Sequence, residues 1–304
     1  MSEPRVVAIV LNYNGKALTI GAVDSLRRMT WPGLDVIVVD NGSTDGSYDA
    51  VAAVCPDVIQ VRKEVNEGPA AGMNLGLTAA LADGRYDYIL MLNNDIEVDP
   101  AMLTELVRVA ERDPGIGCVG PKTYYHGDRA RIWSAGGVIR FRESVTAERG
   151  IGELDRGQYD RDEEVPYLNF CAVLLRREAV AATGLLDPIY RLSSEDADWC
   201  MRMKAERFTC WYAHRAVLYH MVSQTVGVYN PKKTFLSGRS MAIFVRRYGG
   251  PWQWLTFVLA MLAAMPLAFL RELGKGNQRA VIEKVRGVLT GLRVPMTAPP
   301  RAPV

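Results

Sequence analysis

The chain has 304 residues, 49% of them hydrophobic and 23% charged, so it can form one large folded domain with an appendage and is not a disordered chain. The formal net charge of +2 gives no support to nucleic-acid binding. Five cysteines, none at CxxC spacing, argue against a disulfide framework or a zinc knuckle and favour a reducing compartment.

Short apolar runs alternate with helical stretches through the first part of the chain. Val6–Leu11 leads directly into polar residues, which predicts a buried strand and no signal peptide. Further strands are predicted at Val36–Val39, Val58–Val61, Tyr88–Leu92 and Ile116–Val119, and helices at Lys16–Arg28, Ser47–Val54, Ala70–Ala82 and Pro100–Arg112. Apolar strands separated by helices predict an α/β fold whose central sheet is mostly parallel and flanked by helices on both faces.

The second part of the chain is less regular. Ile132–Gly137 has the pattern of a hairpin, and the charged, glycine-containing segment Arg140–Glu164 predicts loops. An apolar strand is predicted at Tyr167–Leu175. Ser193–Arg207 predicts a helix, because it opens with acidic residues and ends with basic ones, as the helix dipole favours.

The C-terminal part contains an apolar run, Trp252–Leu270, of about 19 residues, near the lower limit for a membrane span. Basic residues flank it on both sides, which argues against a simple span and predicts a helix lying in or dipping into the membrane. A core or dimer-forming helix is the alternative. A basic amphipathic helix is predicted at Gln278–Leu292. The expected domains are residues 1–247, the appendage 248–294, and a disordered proline-rich tail, 295–304.

Two polar clusters follow predicted strands, at the edge where α/β sheets bind ligands. Asp40 comes directly after a buried strand, where a carboxylate can accept from a base N–H or a ribose hydroxyl, and Gly42 permits close approach to the backbone. In Asn66–Gly76, small residues open a helix whose free N–H groups suit an anion. The dinucleotide-binding spacing G-x-G-x-x-G is absent, and a capping turn or helix–sheet packing are the structural alternatives.

Two further clusters supply carboxylates. An apolar strand delivers Asn93-Asn94-Asp95 to the sheet edge, and one or two carboxylates suffice to hold magnesium or manganese on a diphosphate. The acidic run Glu195–Asp198 lies at a helix start, where mutual repulsion raises a carboxylate pKa and the helix dipole lowers it. A carboxylate with a raised pKa is a usable general base for a hydroxyl group. A polar turn and a solvated helix start are the alternatives.

Seven short motifs are weak singly and specific as an ordered set. They are Asn12-Tyr13-Asn14, Asp40-Asn41-Gly42-Ser43, Asn66-x-Gly68, Asn74-x-Gly76, Asn93-Asn94-Asp95, Gly184-Leu185-Leu186-Asp187 and Glu195-Asp196-Ala197-Asp198. From about Pro4 to Arg247 the chain resembles the family-2 inverting glycosyltransferases with the GT-A fold, and most closely the bacterial rhamnosyltransferase-like branch that builds cell-surface polysaccharide. The resemblance implies transfer of a sugar from a nucleotide-diphosphate sugar to an acceptor hydroxyl.

The resemblance also implies a donor site and a metal. Asp40 would bind the base or ribose, and the donor site would further include Asn12, Tyr13, Asn14, Gly42, Gly72, Asn74, Asn93 and Asn94. Asp95 matches the last aspartate of the family's Asp-x-Asp metal motif, whose first aspartate is replaced here by Asn93. His220, in the segment His220–Thr225, matches a histidine that completes the coordination of Mg²⁺ or Mn²⁺.

For the acceptor side, Asp196 matches the catalytic base that deprotonates the acceptor hydroxyl for in-line attack at the anomeric carbon. Glu195, Trp133 and Trp199 are the candidate acceptor contacts, the two tryptophans by stacking, with core packing as the alternative. Arg202 is expected to pair with Asp198 or to touch the diphosphate. The charged segment 140–164 is expected near the acceptor.

The expected donor is a dTDP- or UDP-sugar, with rhamnose favoured by the resemblance. The apolar C-terminus adds a membrane surface, a lipid-linked glycan acceptor and a location at the cytoplasmic face of the bacterial inner membrane. No nucleic-acid partner is expected, and a homo-oligomer is left open. One alternative is a nucleotidyltransferase, although Asn12–Lys16 stands where such enzymes carry a Gly-rich, Arg-containing loop. The other is a non-catalytic nucleotide-sugar-binding or scaffold protein on the same fold.

Overall fold

The computed structural model describes residues 3–222 and 230–303. The strands are β1 Val6–Asn12, β2 Asp35–Asn41, β3 Ile59–Lys63, β4 Tyr88–Asn93, β5 Ile96–Val98, β6 Ile116–Tyr125, β7 Asp128–Ser134, β8 Gly137–Ile139, β9 Thr146–Glu148, β10 Glu163–Glu164, β11 Ala172–Arg176 and β12 Thr209–His220. The helices are α1 Lys16–Arg27, α2 Ser47–Val54, α3 Pro69–Asp83, α4 Met102–Ala110, α5 Arg177–Thr183, α6 Glu195–Ala205, α7 Pro231–Tyr248, α8 Pro251–Leu273 and α9 Gln278–Gly291.

The first half of the chain forms the predicted parallel layer. Strands β3, β2, β1 and β4 lie side by side in that order, all parallel. Successive residues of a strand point to opposite faces, so Val7 and Ile9 pack with α3 while Val6, Ala8 and Val10 pack with α1 and α4. Burial on both faces explains why these strands are apolar at every position.

The second half of the chain adds antiparallel strands, so the sheet is mixed. The sequence pattern predicts a mostly parallel sheet. β11 lies antiparallel between β4 and β6, and β12 continues the sheet parallel to β6. β12 was not predicted, because its polar residues and a register shift between Ala213 and Val217 break the apolar pattern. The short strand β5 pairs antiparallel with the end of β12, which places Ile96 opposite His220.

Three of the predicted segments have different bounds in the structure. The predicted helix Pro100–Arg112 begins later, as α4 at Met102. It follows a turn in which the Asp99 carboxylate accepts a hydrogen bond from the N–H of Ala101. The predicted strand Tyr167–Leu175 is shorter at its start, since β11 begins at Ala172. Part of the predicted loop segment Arg140–Glu164 forms the strand β9.

Helices α7 and α9 pack closely through glycines. A Cβ atom at Gly238 would lie 2.2 Å from the Lys284 carbonyl oxygen, and one at Gly287 would lie 2.0 Å from that of Phe235. A Cβ atom at Gly291 would lie 2.3 Å from the Arg239 carbonyl oxygen. Any side chain at these positions would force the helices apart, so the glycines allow α9 to pack closely against the last helix of the predicted catalytic domain.

Helix α8 extends away from this contact and is long and apolar enough to cross a membrane by length and composition. Among its side chains, Trp252 is 75% exposed and Leu262 and Leu267 are each 67% exposed. Pro266 lies inside the helix. α8 therefore presents an apolar surface that nothing in the described residues covers.

The segment that follows α9, predicted as a disordered tail, lies against the domain up to Pro303. The Pro300 carbonyl accepts a hydrogen bond from the N–H of Leu185 at 2.9 Å. The Thr297 carbonyl accepts one from the Arg247 guanidinium at 3.0 Å. These backbone acceptors hold the proline-rich segment against the residues that follow α5 and against the end of α7, which composition alone does not indicate.

Candidate active site

Asn12 joins the ends of the first strands. Its side-chain N–H group donates to Asp40 at 3.0 Å and to Ser43 at 3.2 Å. Its side-chain oxygen accepts from Thr19 at 2.8 Å and from the Asn94 amide at 3.1 Å. Asn12 and Asn94 are both buried, and their polar atoms are used within the protein. In this structure they position the strand ends and do not face a ligand.

Asp40 is buried at the end of β2, where its carboxylate accepts from Asn12 and from the N–H of Ser43 and lies 3.6 Å from the Arg62 guanidinium. Asn14, beside it, adopts a left-handed backbone conformation with φ of 51°. Its side-chain oxygen accepts from the N–H of Thr44 at 2.8 Å. The predicted base-binding loop is therefore preformed by hydrogen bonds between the ends of β1 and β2.

A cavity of about 680 Å³ opens beside this loop. Tyr13 lines it and is 40% exposed, as a residue that contacts a ligand must be. Asn41 also lines it, with its amide N–H donating to the Gly68 carbonyl and its buried side-chain oxygen unpaired. Arg191 and Lys232 also line the cavity and bring positive charge to it. The cavity thus combines an aromatic ring with cations, which suits a nucleotide.

Three predicted donor-site residues have a packing role in the structure. A Cβ atom at Gly42, where φ is 79°, would lie 2.8 Å from the backbone nitrogen of Asn66. A Cβ atom at Gly72 would lie 2.8 Å from both Asn41 and Leu11, so this glycine lets α3 approach the sheet. The Asn74 amide exchanges two hydrogen bonds with the backbone of Leu186 and is turned away from the cavity.

Asp95 and His220 meet because β5 pairs with β12. The imidazole Nε2 of His220 lies 3.3 Å from a carboxylate oxygen of Asp95, and the N–H of Met221 donates to the Asp95 carbonyl at 2.9 Å. Both side chains are mostly buried, at 8% and 13% exposed. The rest of the motif after Val222, from Ser223 to Thr225, lies outside the described residues.

The Asp95–His220 pair fits a divalent cation. Neighbouring ligands in an octahedral shell with bonds of about 2.1 Å lie roughly 3 Å apart, close to the separation of these two atoms. The other imidazole nitrogen of His220, Nδ1, is buried without a hydrogen-bond partner, and Nε2 is the nitrogen that lies beside the Asp95 carboxylate. Asn93 lies at the end of β4 beside the same cleft and adds a neutral amide. One carboxylate and one imidazole suit Mn²⁺ as well as Mg²⁺.

A second cleft of about 410 Å³ adjoins the first cavity, and Leu11, Pro69 and Lys233 line both. The start of α6 forms one wall. Ser193 and Ser194, just before it, have φ of 66° and 70°, a conformation that costs non-glycine residues about 1–3 kcal/mol each. This strained turn brings Glu195 and Asp196 into the cleft that His220 and Asn93 also line.

Asp196 is held by two hydrogen bonds. The Tyr167 hydroxyl donates to one carboxylate oxygen at 3.0 Å, and the N–H of Ala197 donates to the other at 2.8 Å. Burial raises the pKa of Asp196 above its ordinary value, although both hydrogen bonds oppose the rise. Burial and the nearby charge of Asp196 also raise the pKa of Glu195, whose Oε2 is buried without a partner. Two adjacent carboxylates with raised pKa values in a cleft are typical of a proton-transfer site.

Glu148 is a residue of this cleft that the sequence did not single out. It lies on β9, and its carboxylate accepts from Ser134 Oγ at 2.5 Å and from the Asn169 amide at 2.8 Å. Burial raises the pKa of Glu148 to about 7, and the charge of Asp196 adds to the rise. The charged segment 140–164 carries several glutamates in similar sequence surroundings, so no pattern marks this one.

The predicted acceptor contacts separate into two groups. Trp133 lines the cleft, with its ring edge-on to His220 at a centroid distance of 4.5 Å, and Glu195 lines it too. Trp199 was wrongly predicted as an acceptor contact. It is 0% exposed, donates from Nε1 to the Gly184 carbonyl, and packs on Phe170. On α6 its side chain points into the core, opposite to the cleft face.

Arg202 pairs with Asp198, the first of its two predicted alternatives. Its Nε donates to the Asp198 carboxylate at 2.8 Å, and its other nitrogens donate to the carbonyls of Thr183 and Leu185. Asp198 is 0% exposed and also accepts from Arg247 at 2.7 Å. This buried network anchors α6 and leaves Asp196 as the aspartate of the run that reaches the cleft.

Curated relatives share parts of the sequence. The chain is 27% identical over 210 residues to an uncharacterized protein of Sinorhizobium fredii, covering 66% of this chain and 23% of that protein. It is 24% identical over 246 residues to the N-acetylglucosaminyl-diphospho-decaprenol L-rhamnosyltransferase of Mycobacterium tuberculosis, covering 75% of this chain and 80% of the relative. The chain thus spans less than a quarter of the first relative and most of the second.

Among solved structures, the mannosyltransferase of Pyrobaculum calidifontis in complex with GDP-Man and Mn²⁺ is similar with a TM-score of 0.60. The sequences are 18% identical, and the match covers 95% of this chain and 88% of the other. This likeness confirms the predicted GT-A fold. The family model described as "Glycosyl transferase family 2" matches residues 7–184, more than half of the chain and the whole span from β1 to the segment before α6. The chain therefore belongs to glycosyl transferase family 2.

Proposed function

We propose that this chain is an inverting, metal-dependent glycosyltransferase that transfers a sugar from a dTDP- or UDP-sugar to a hydroxyl of a lipid-linked glycan. One observation carries the proposal: Asp196 shares a cleft with His220, the partner of Asp95, and this cleft adjoins the cavity that suits a nucleotide. Transfer from a nucleotide sugar requires a cavity for the nucleotide, a cation site for the diphosphate and a base for the acceptor hydroxyl, arranged side by side.

In the proposed reaction, Asp196 takes the proton of the acceptor hydroxyl. The hydroxyl oxygen then forms a bond to the anomeric carbon as the bond from that carbon to the diphosphate breaks. Since one displacement occurs, the configuration at the anomeric carbon inverts. The hydrogen bond from Tyr167 fixes the carboxylate and keeps the base ionised over a wider pH range.

Asp95 and His220 would hold Mg²⁺ or Mn²⁺. When bound, the cation supplies charge stabilisation to the diphosphate leaving group. Lys233 lines both the cleft and the nucleotide cavity, so its ammonium lies where the departing diphosphate would pass. Trp133 and Glu195 face the acceptor side of the cleft, where a ring and a carboxylate can orient a sugar.

Rhamnose is our preferred sugar, because the Mycobacterium tuberculosis relative is named as an L-rhamnosyltransferase. The same name includes a diphospho-decaprenol acceptor, and the exposed apolar face of α8 suits a membrane surface. Arg271 and Lys275 follow the apolar stretch, as attraction to anionic lipid headgroups would favour. We place the enzyme at the cytoplasmic face of the bacterial inner membrane, in cell-surface glycan synthesis.

The proposal is tested by donor consumption. The full chain is incubated with Mn²⁺ and each of several dTDP- and UDP-sugars, together with a lipid-linked acceptor, and release of the nucleoside diphosphate is measured. We expect one donor to be consumed, with a product whose anomeric configuration by NMR is opposite to that of the donor. Retention of configuration would contradict the single displacement. Consumption of none of the donors would favour a non-catalytic scaffold.

The pH dependence of the reaction should follow Asp196. The base acts in its ionised form, so kcat/KM should fall as the pH drops through the pKa of Asp196. Since burial raises this pKa, the midpoint should lie above the ordinary aspartate value of 3.8. In Tyr167→Phe, loss of the hydrogen bond that lowers the pKa should move the midpoint to still higher pH. An unmoved midpoint in this variant would remove Asp196 as the titrating base.

A further inference from the structure

An apolar groove of about 480 Å³ lies between α8 and α9. Ala264 and Ala268 form its α8 wall, and Ala280 and Val281 form its α9 wall. The three alanine side chains end at Cβ, and this keeps the space between the two helices open. Leu267, at the rim, is largely exposed and continues the apolar surface of α8.

The groove is a close neighbour of the active-site cleft along two separate segments. On α7, Thr234 lines the groove and the preceding residue, Lys233, lines the cleft. Before and within β9, Glu143 lines the groove and Thr146 lines the cleft. Glu143 and Thr146 are three residues apart, and three residues of chain span at most about 11 Å. The groove and the cleft are therefore no further apart than this along that segment. A single elongated molecule can therefore occupy both.

The groove wall carries charged side chains, two of them cationic. The Lys284 ammonium, in the groove wall, donates to the backbone carbonyl of Glu143 at 2.9 Å. An ammonium has three donors, and the Glu143 carbonyl accepts only one of them. The Glu143 carboxylate, which also belongs to a groove-lining residue, acts on the same ammonium. Burial lowers the pKa of Lys284 and the charge of Glu143 partly opposes this, so an added anion beside the ammonium would further stabilise its charged form. The other groove cation, Arg271, is paired with the buried Glu272 at 2.9 Å.

We propose that this groove binds the isoprenoid chain of a polyprenyl-diphosphate-linked acceptor. The chain lies between the alanine-lined walls, the diphosphate lies near Lys284 and Lys233, and the sugar reaches Asp196. The inference rests on the proposed function and adds the location of the lipid. Because α8 exposes its apolar face next to the groove, the isoprenoid chain can enter from the bilayer without crossing water.

The test compares two acceptors that carry the same sugar diphosphate, one on a long polyprenyl chain and one on an alkyl chain too short to reach the groove. In the wild type, the KM for the long-chain acceptor should be at least tenfold lower. Ala268→Trp and Ala280→Trp fill the groove and should raise the KM for the long-chain acceptor at least tenfold. They should leave kcat/KM for the short-chain acceptor unchanged. Ile282→Trp, at an exposed position of α9 outside the groove, is the matched control and should change neither.

Each alternative outcome is decisive. Equal KM values for the two acceptors in the wild type, or equal effects of Ala268→Trp and Ile282→Trp, would overturn the groove as the lipid site. If a tryptophan variant loses activity on both acceptors through misfolding, the smaller change Ala268→Leu must still raise the long-chain KM selectively, or the proposal is wrong. A wild-type enzyme that uses neither acceptor contradicts the proposed function itself.

Discussion

Asp196→Asn should lower turnover at least about a hundredfold, within the usual range for loss of a general base. The amide has nearly the shape of the carboxylate and can keep a hydrogen bond to Tyr167, but it cannot take the proton of the acceptor hydroxyl. Binding of the nucleoside diphosphate should be unchanged, because Asp196 lies in the second cleft and does not line the nucleotide cavity. Turnover and calorimetric nucleotide binding are measured on the same preparation.

The matched control is Glu206→Gln, an exposed carboxylate just after the same helix, which should leave both quantities as in the wild type. Turnover at the wild-type rate in Asp196→Asn would assign the proton transfer to another group. Glu148 and Glu195 would then be the next residues to replace, since both carboxylates line the cleft and have raised pKa values.

Asp95→Ala should abolish the manganese dependence of nucleotide binding and lower turnover at least about a hundredfold. It removes the one carboxylate of the proposed pair and leaves His220, a neutral ligand, to hold a divalent cation alone. Charge stabilisation of a leaving diphosphate by a metal is worth several kcal/mol, which is the basis for the expected loss. Calorimetric titration of UDP, dTDP and GDP, with and without Mn²⁺, measures the binding part.

Glu97→Gln serves as the control for Asp95→Ala. Glu97 lies two residues further along, on β5, and its carboxylate contacts Arg129 and His126. The Glu97→Gln variant should keep the manganese dependence of nucleotide binding. Wild-type binding that is equally tight with and without Mn²⁺ would contradict the metal assignment, and the cations Lys233 and Arg191 would then be the candidates for holding the diphosphate.

The parallel half of the fold and the strand-end position of the site could be predicted from sequence. Strands such as β1 are apolar at every residue, and the polar residue that ends each one is visible in the chain. The position of Asp40 and that of Asp95 follow from this rule. What each polar side chain contacts does not follow. Asn12 and Asn74 look like ligand contacts in sequence, yet their amides are used to join strand ends and to hold the segment before α6.

The remaining parts of the site depend on contacts between distant segments. Asp95 and His220 are brought together by β5–β12 pairing, and β12 carries no clean apolar pattern. Only the family resemblance suggested the histidine. Glu148 becomes part of the cleft because β9 pairs with β8 and brings its carboxylate to Ser134 at the end of β7, which no local pattern in a charged segment can indicate. Trp199 shows the converse limit, since a tryptophan beside catalytic residues in sequence can point to the opposite side of its helix.

The glycine contact between α7 and α9 has a consequence for which glycans the enzyme can extend. These contacts hold α9 against α7, and α8 is joined to both helices along the chain. If α8 rests in the bilayer, as we propose, the catalytic cleft is kept near the lipid headgroups. Such an enzyme should favour acceptors whose reacting hydroxyl lies close to the lipid. The growing end of a long glycan, which lies far from the lipid, should be a poor acceptor.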